Sequence, residues 1–323
     1  VGLNVAADPF VNSALLQLGG GLVLAVADDP GMHSSQDEQD SRFYADFAKI
    51  PCFEPTGHQE AYEMTREAFD LSERFHIPVM LRLVTRLAHS RGIVKTAEPR
   101  KENGLKKSED IKRWVLTPAN ARVNWDNLLA LQKPLADYSG NSPFNTLYIS
   151  SDFKDFGVIT TGLGKNYYLE NLPDLPFKPS HLHIGTYPPP VDKIRDLFKQ
   201  VKEVYIFEEG YPFLEEKLTG LFGAPIPVRG KTAGPVTISG ELNPDIVRKA
   251  LGLPERQGAE APSLPLPGRP PQLCKGCPHG DTFTAIKEAL KGYPQSVVTS
   301  DIGCYALGVM PPYEVPETVV CMG

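Results

Sequence analysis

Residues 56–84 read TGHQEAYEMTREAFDLSERFHIPVMLRLV, and the change of rhythm inside this stretch decides the fold class. Between residues 58 and 76 the side chains Ala61, Met64, Ala68, Leu71 and Phe75 recur at steps of three and four, lining one helical face. Glu60, Glu63, Glu67 and Glu73 fall off that stripe and should face solvent. Thr56 and Gln59 have the spacing of a capping box. Pro78 ends the helix, and Val79 to Val84 is apolar without alternation, as in a strand covered on both faces. Upstream, Gly19 to Ala27 (GGGLVLAVA) has the same character behind a glycine-led turn. Strand, helix and strand in this order imply a right-handed parallel crossover.

Working outward, residues 41–49 read as a short helix, and the pattern breaks down from 93 to 137, where Lys101, Lys106 and Lys107 alternate with acids and prolines. That arm carries one helix, at 118–132. A second α/β rhythm follows, with strands expected at 158–161, 181–185, 204–207 and 226–228. Helices running from Gly164 through Leu169 and at 191–201 and 211–221 alternate with them. A short helix at 245–251 leads into proline-rich residues 254–273; helix 281–291 and strand 296–300 then open a third unit. The expected fold class is α/β, with successive doubly wound parallel sheets. The expected boundaries are 1–92, 93–137 (arm), 138–240, 241–273 (linker) and 274–323.

Composition excludes whole classes of function. A hydrophobic content of 41% and charged content of 22% describe a globular chain. The net charge of −6 and the lack of a basic stretch argue against nucleic acid. No apolar run approaches the ~20 residues that span a bilayer. Five cysteines, at 52, 274, 277, 304 and 321, are an odd number and unlike a disulfide framework. They point to a reducing cytoplasm. The chain opens at Val1 without an initiator Met and closes just after the strand-like Thr318–Val320. Both ends read as cuts through folded domains of a longer protein.

Cys274-x-x-Cys277 together with Cys304 carries the sharpest chemical signal. Two thiols three residues apart can ligate one centre, and a third could complete most of an iron–sulfur cluster. A packed thiol pair and a zinc site are the competing readings. Asp301, Gly303 and Cys304 sit at the carboxyl end of an expected strand, where α/β sheets place ligands. Glu208 and Glu209 end another strand and read as a subunit contact or a helix N-terminal charge. Cys52 and Cys321 read as small buried side chains.

The motif Cys274-Lys-Gly-Cys-Pro-His279 with Ser300-Asp-Ile-Gly-Cys304 resembles the opening of the diphosphate-binding domain of thiamine-diphosphate-dependent 2-oxoacid:ferredoxin oxidoreductases. Ala27–Arg42 (ADDPGMHSSQDEQDSR), Leu81–Gly92 and Val204–Leu214 are similar to the large (alpha) subunit of the indolepyruvate branch, and the likeness runs over essentially the whole chain. Lys275 stands where that branch usually has Pro.

The resemblance implies a pyrimidine-binding domain, then a transketolase-C-terminal-like domain, then the start of the diphosphate-binding domain. It implies oxidative decarboxylation of arylpyruvates with thiamine diphosphate and Mg²⁺, coenzyme A, ferredoxin and iron–sulfur clusters. A smaller beta subunit and an oligomeric assembly come with it. Arg42 is the expected contact to the 2-oxoacid carboxylate, for which a guanidinium offers a bidentate fork; a surface arginine neutralising Asp37, Glu38 and Asp40 is the competing reading. His33 is the second expected substrate contact. Cys277, His279, Asp301, Gly303 and Cys304 are the expected cofactor contacts, and Cys274, Cys277 and Cys304 the expected metal ligands. The activating glutamate, the Mg²⁺ motif and the ferredoxin-like clusters of the family match nothing in these residues, so the chain alone is expected to be inactive. A pyruvate-type oxidoreductase or another thiamine enzyme is the neighbouring reading; a non-catalytic interaction protein that kept the fold is the reading from another class.

Overall fold

The computed structural model describes residues 2–101, 103–104, 110–258, 267–268 and 270–319. Lys106, Lys107, much of the proline-rich segment, Val320 and Cys321 lie outside the described residues. Two compact units are distinct, residues 6–256 and residues 257–323 with 1–5.

The larger unit contains β1 (Val23–Asp28), β2 (Cys52–Phe53), β3 (Val79–Val84), β4 (Asn145–Tyr148), β5 (Phe156–Thr161), β6 (Ser180–Ile184), β7 (Thr186–Tyr187), β8 (Glu203–Phe207) and β9 (Val228–Arg229). One sheet has the order β1-β3-β2-β7, with only β7 antiparallel. The other has the order β4-β6-β5-β8-β9, with only β4 antiparallel. β2, β4 and β7 carry no sequence signal of their own. Two are only two residues long, too short for any period to show.

The helix read from the opening stretch spans His58–Phe75 and buries Met64, Ala68 and Leu71 against Phe53, Val79 and Leu81. Met64 and Leu71 each contribute about 1.5–3 kcal/mol relative to the exposed state, and the Ala68 methyl about 0.8 kcal/mol. The capping box does not form. Gly57 is the N-cap, and the Glu60 carboxylate accepts the Thr56 N–H at 2.6 Å. Gln59 turns outward instead and exchanges two amide hydrogen bonds with the Lys95 backbone. Glu67 is half-buried under the Tyr138 hydroxyl rather than free in solvent.

Those bonds begin a row that orders the first part of the expected arm. The Ala97 N–H donates to the Tyr62 hydroxyl, Arg66 to the Glu98 carbonyl, Arg100 to the Arg66 carbonyl, and Asn103 to Glu73. Residues 95–101 and 103 thus lie as a strap along the outer face of that helix. The helix expected at 118–132 continues through Pro134 to Asn141. The helix expected at 211–221 is Phe213–Thr219, because Pro212 occupies its N-cap, and the strand expected at 226–228 is Val228–Arg229.

In the smaller unit β10 (Thr299–Ser300) and β11 (Thr318–Val319) pair in parallel. The strand expected at 296–300 is therefore two residues long. The helix begins at Pro278, a residue suited to the first turn, and ends at Ala289. Phe283 on its buried face meets the Tyr313 ring at 5.5 Å.

Candidate active site

The carboxyl ends of β1, β2, β5 and β8 converge in the larger unit, and each delivers a polar group to the same buried volume. Asp28 ends β1, Glu54 follows β2, Thr161 ends β5, and Glu208 and Glu209 follow β8; all are buried. Two arginines sit among them. Arg82 comes from the middle of β3, and Arg42 opens the helix Arg42–Ala48; each is 1% exposed.

The Arg82 Nε donates to Asp28 at 2.6 Å, and its Nη atoms donate to Glu54 and to the Glu209 carbonyl. The Arg42 Nε donates to Asp40 at 2.9 Å, and Nη1 donates to Glu208 at 2.8 Å. Its Nη2 is taken by Asp40 and by the carbonyls of Glu209 and Tyr211. Tyr187 donates to Glu54 at 2.8 Å, and Ser41 donates twice to Asp28. Burial alone would raise the Asp40 carboxyl, but Arg42 and Arg82 outweigh it and hold the group down to about 2. Charges this deep persist only because each is paired and hydrogen-bonded.

Close packing around the cluster constrains the backbone. Gly210 has φ +80°, and a Cβ there would stand 2.8 Å from Asp40 Oδ2 and 2.9 Å from Arg82 Nη2. Gly162 has φ +43°, and a Cβ would meet Glu54 Oε1 at 2.8 Å. Glu208 also accepts the N–H groups of Leu214 and Glu215, the helix N-terminal role expected of it. Glu209 accepts from the Leu242 N–H, its other oxygen is buried without a partner, and burial pushes it up to about 7. Burial lowers the neighbouring Lys231 ammonium.

Arg42 therefore stands with all its donors occupied by protein groups rather than presenting a fork to a ligand. The competing reading placed it at the surface neutralising Asp40; the ion pair with Asp40 exists, but in the interior. His33 is elsewhere on the same loop, exposed, with Nε2 3.3 Å from Glu241, which also pairs with Arg86. The loop between them is fixed by Asp29, which accepts from Ser34, Ser35 and Thr85 and is held well below the usual carboxylate range by those bonds despite the opposing effect of burial. Sequence patterning does not single out Arg82, Asp28 or Glu54 as site residues. The available signal was Arg82 itself, a lone cation in a strand apolar on both faces, which demands buried anions.

In the smaller unit Cys274 and Cys304 are exposed and Cys277 is partly buried. The Cys277 Sγ lies 3.2 Å from His279 Nδ1, and the His279 ring meets the Tyr305 ring at 4.8 Å. The start of the helix and the segment after β10 thus lie side by side. Gly303 has φ +139°, a Cβ there would stand 3.8 Å from the Tyr305 ring, and Asp301 is exposed. Among the described residues no three His, Cys, Asp or Glu side chains gather as a metal site. The three cysteines as they stand do not fit an iron–sulfur cluster.

No family model matches the chain. Three curated relatives are indolepyruvate oxidoreductase subunit IorA proteins. That of Methanothermobacter thermautotrophicus is 36% identical, that of Thermococcus kodakarensis 39% and that of Archaeoglobus fulgidus 38%. Each alignment covers 100% of this chain and 53–54% of the relative, so the chain spans about half the length of the curated relatives it matches. Among solved structures, the 2-oxoglutarate:ferredoxin oxidoreductase of Magnetococcus marinus superposes with a TM-score of 0.53 at 13% identity, over 76% of this chain and 51% of that one. That likeness is one of fold, and it agrees with the α/β sheets described above. Over its whole length, then, the chain is similar, at 36–39% identity, to about half of the indolepyruvate oxidoreductase subunit IorA.

Proposed function

We propose that this chain is part of the large subunit of an enzyme that oxidatively decarboxylates arylpyruvates, indolepyruvate among them. An arylpyruvate and coenzyme A give the aryl-acetyl-CoA, CO₂ and a proton, and the two electrons released reduce two ferredoxins. The observation that carries this reading is the 36–39% identity to IorA proteins over the whole of this chain. Thiamine diphosphate with Mg²⁺ supplies the electron sink that lets the carboxylate leave as CO₂. Iron–sulfur centres in the complete enzyme, a smaller beta subunit and an oligomeric assembly belong to the same reading.

This chain's own contribution is binding and orientation. Cys277, His279, Asp301, Gly303 and Cys304 are proposed to line the cofactor's diphosphate side. Support comes from the positive φ of Gly303, which favours glycine there, and from the contact between His279 and the residue after Cys304. His33 is the proposed substrate contact, being the exposed cation-forming group on the loop that Asp29 fixes. Arg42 is assigned to holding that loop through Asp40, since its donors are taken.

The test is coenzyme-A-dependent reduction of ferredoxin by the native complex, with kcat/KM compared for indolepyruvate, phenylpyruvate, pyruvate and 2-oxoglutarate. Preference for the aryl acids supports the proposal. Preference for pyruvate would move the chain to the pyruvate-type reading, and no turnover of any 2-oxoacid would leave the non-catalytic reading.

A further inference from the structure

A groove of about 800 Å³ opens on the larger unit between the helices Val191–Gln200 and Phe213–Thr219. Its apolar lining includes Val191, Ile194, Phe198, Leu214, Leu218 and Ile226. The charged side chains lining it among the described residues are Arg195, Lys199 and Lys217, three cations and no acid. That is the reverse of the chain as a whole, whose net charge is −6. The loop joining Leu218 to Ile226 carries Leu221 and Phe222, which are 94% and 100% exposed. An apolar trough with a bare Leu-Phe pair in the loop that joins two of its lining residues is a surface that solvent alone does not explain.

The three cations are held only loosely. Arg195 pairs with Asp192 and Lys199 with Asp196, both three residues apart on an exposed helical face, and Lys217 pairs with Asp46. Exposed pairs of this kind exchange partners at little cost. Among the described residues none that lines the groove lies in a strand, so they offer an incoming segment no backbone edge to pair with. The trough instead suits side chains projecting from one face of a helix at i, i+3, i+4 and i+7.

We propose that this groove receives an amphipathic helix of a separate polypeptide, with apolar side chains on its inner face and Asp or Glu residues flanking them to meet Arg195, Lys199 and Lys217. The proposal is independent of which 2-oxoacid the enzyme oxidises. The cationic rim steers the encounter, and the apolar floor with Phe222 supplies the burial.

The test uses Phe222→p-benzoylphenylalanine in the native complex, with light-induced cross-links mapped by mass spectrometry. The expected product joins position 222 to a helix of another polypeptide whose sequence shows that apolar spacing with acidic flanks. The double variant Arg195→Glu, Lys199→Glu should then lower the cross-link yield by about threefold or more, and raising the salt should do the same. A synthetic peptide of the mapped segment should bind the unmodified protein and lose affinity when its acids become lysines. Cross-links to a second copy of this chain, to a segment of the same polypeptide or to a basic segment would each overturn the proposal. So would the absence of a specific cross-link, or a yield unchanged by the charge reversal.

Discussion

Arg42 Nη1 lies 2.8 Å from a Glu208 carboxylate oxygen, and both side chains are shut off from solvent. The pair joins the helix after the first sheet's opening loop to the strand end of the second sheet, 166 residues away in sequence. Coupling of the two sheets therefore runs through ions rather than only through their shared apolar core of Val84, Leu87, Val158 and Phe207.

Removing one member of this pair leaves the other buried and unneutralised. Arg42→Met should destabilise the protein by about 3–5 kcal/mol, read by urea denaturation. Glu208→Gln should cost less, because the amide oxygen still accepts from Leu214. A loss for Arg42→Met within about 1 kcal/mol, as for an exposed pair, would show that the guanidinium is free for a ligand instead.

Glu209 makes stability depend on pH. Its folded carboxyl stands at about 7 against an ordinary value of 4.5, so the folded protein keeps a proton that the unfolded chain gives up between those limits. Its contribution is neutral below 4.5, and stability falls as pH rises from 4.5 to about 7, by roughly 3 kcal/mol in total. Glu209→Gln should flatten that part of the profile and raise stability above pH 7, as followed by denaturation midpoints at several pH values. A profile identical to the parent's would count against the assignment.

Gly210→Ala should be costly for two separate reasons. The position has φ +80°, and the added Cβ would stand 2.8 Å from Asp40. A loss of more than about 1 kcal/mol is expected, beyond the usual effect of replacing glycine where the backbone permits it. Thermal unfolding reads the difference, with Gly220→Ala as comparison, since that glycine also has positive φ but nothing near its Cα.

Tyr62→Phe removes the acceptor of the Ala97 N–H, one of the bonds that hold residues 95–101 along the helix. The loss should be about 1 kcal/mol and local. Hydrogen exchange at Ala97 should accelerate about fivefold or more while exchange in β3 stays unchanged.

Thiol reactivity separates the cysteines. Cys274 and Cys304 are exposed and should react at once with a disulfide reagent under native conditions. Cys52 is buried, and burial pushes its thiol well above the usual range, so it should react only after unfolding. Slow labelling of Cys274 and Cys304 that speeds up after chelation would instead reveal a metal held by them.

Residues 56–84 were enough to read a helix and a strand of an α/β fold, because the helix stripe and the buried strand are local patterns set by which face is covered. The second sheet's β5, β6 and β8 were legible for the same reason. The resemblance to the IorA relatives, too, was legible in Ala27–Arg42 and in the cysteine motif. The short strands β2, β4 and β7 were not, since their pairing depends on neighbours far along the chain. Nor was the fate of Arg42. Its residue type and loop fit carboxylate binding equally well whether the carboxylate comes from a ligand or from the protein. Only the folded arrangement, which brings Asp40 and Glu208 to the same guanidinium, decided that its partners are internal. Sequence carries the local periodicities and the motif chemistry; which charges meet is a property of the packed chain, because an ion pair is fixed by distance in space and not by spacing in sequence.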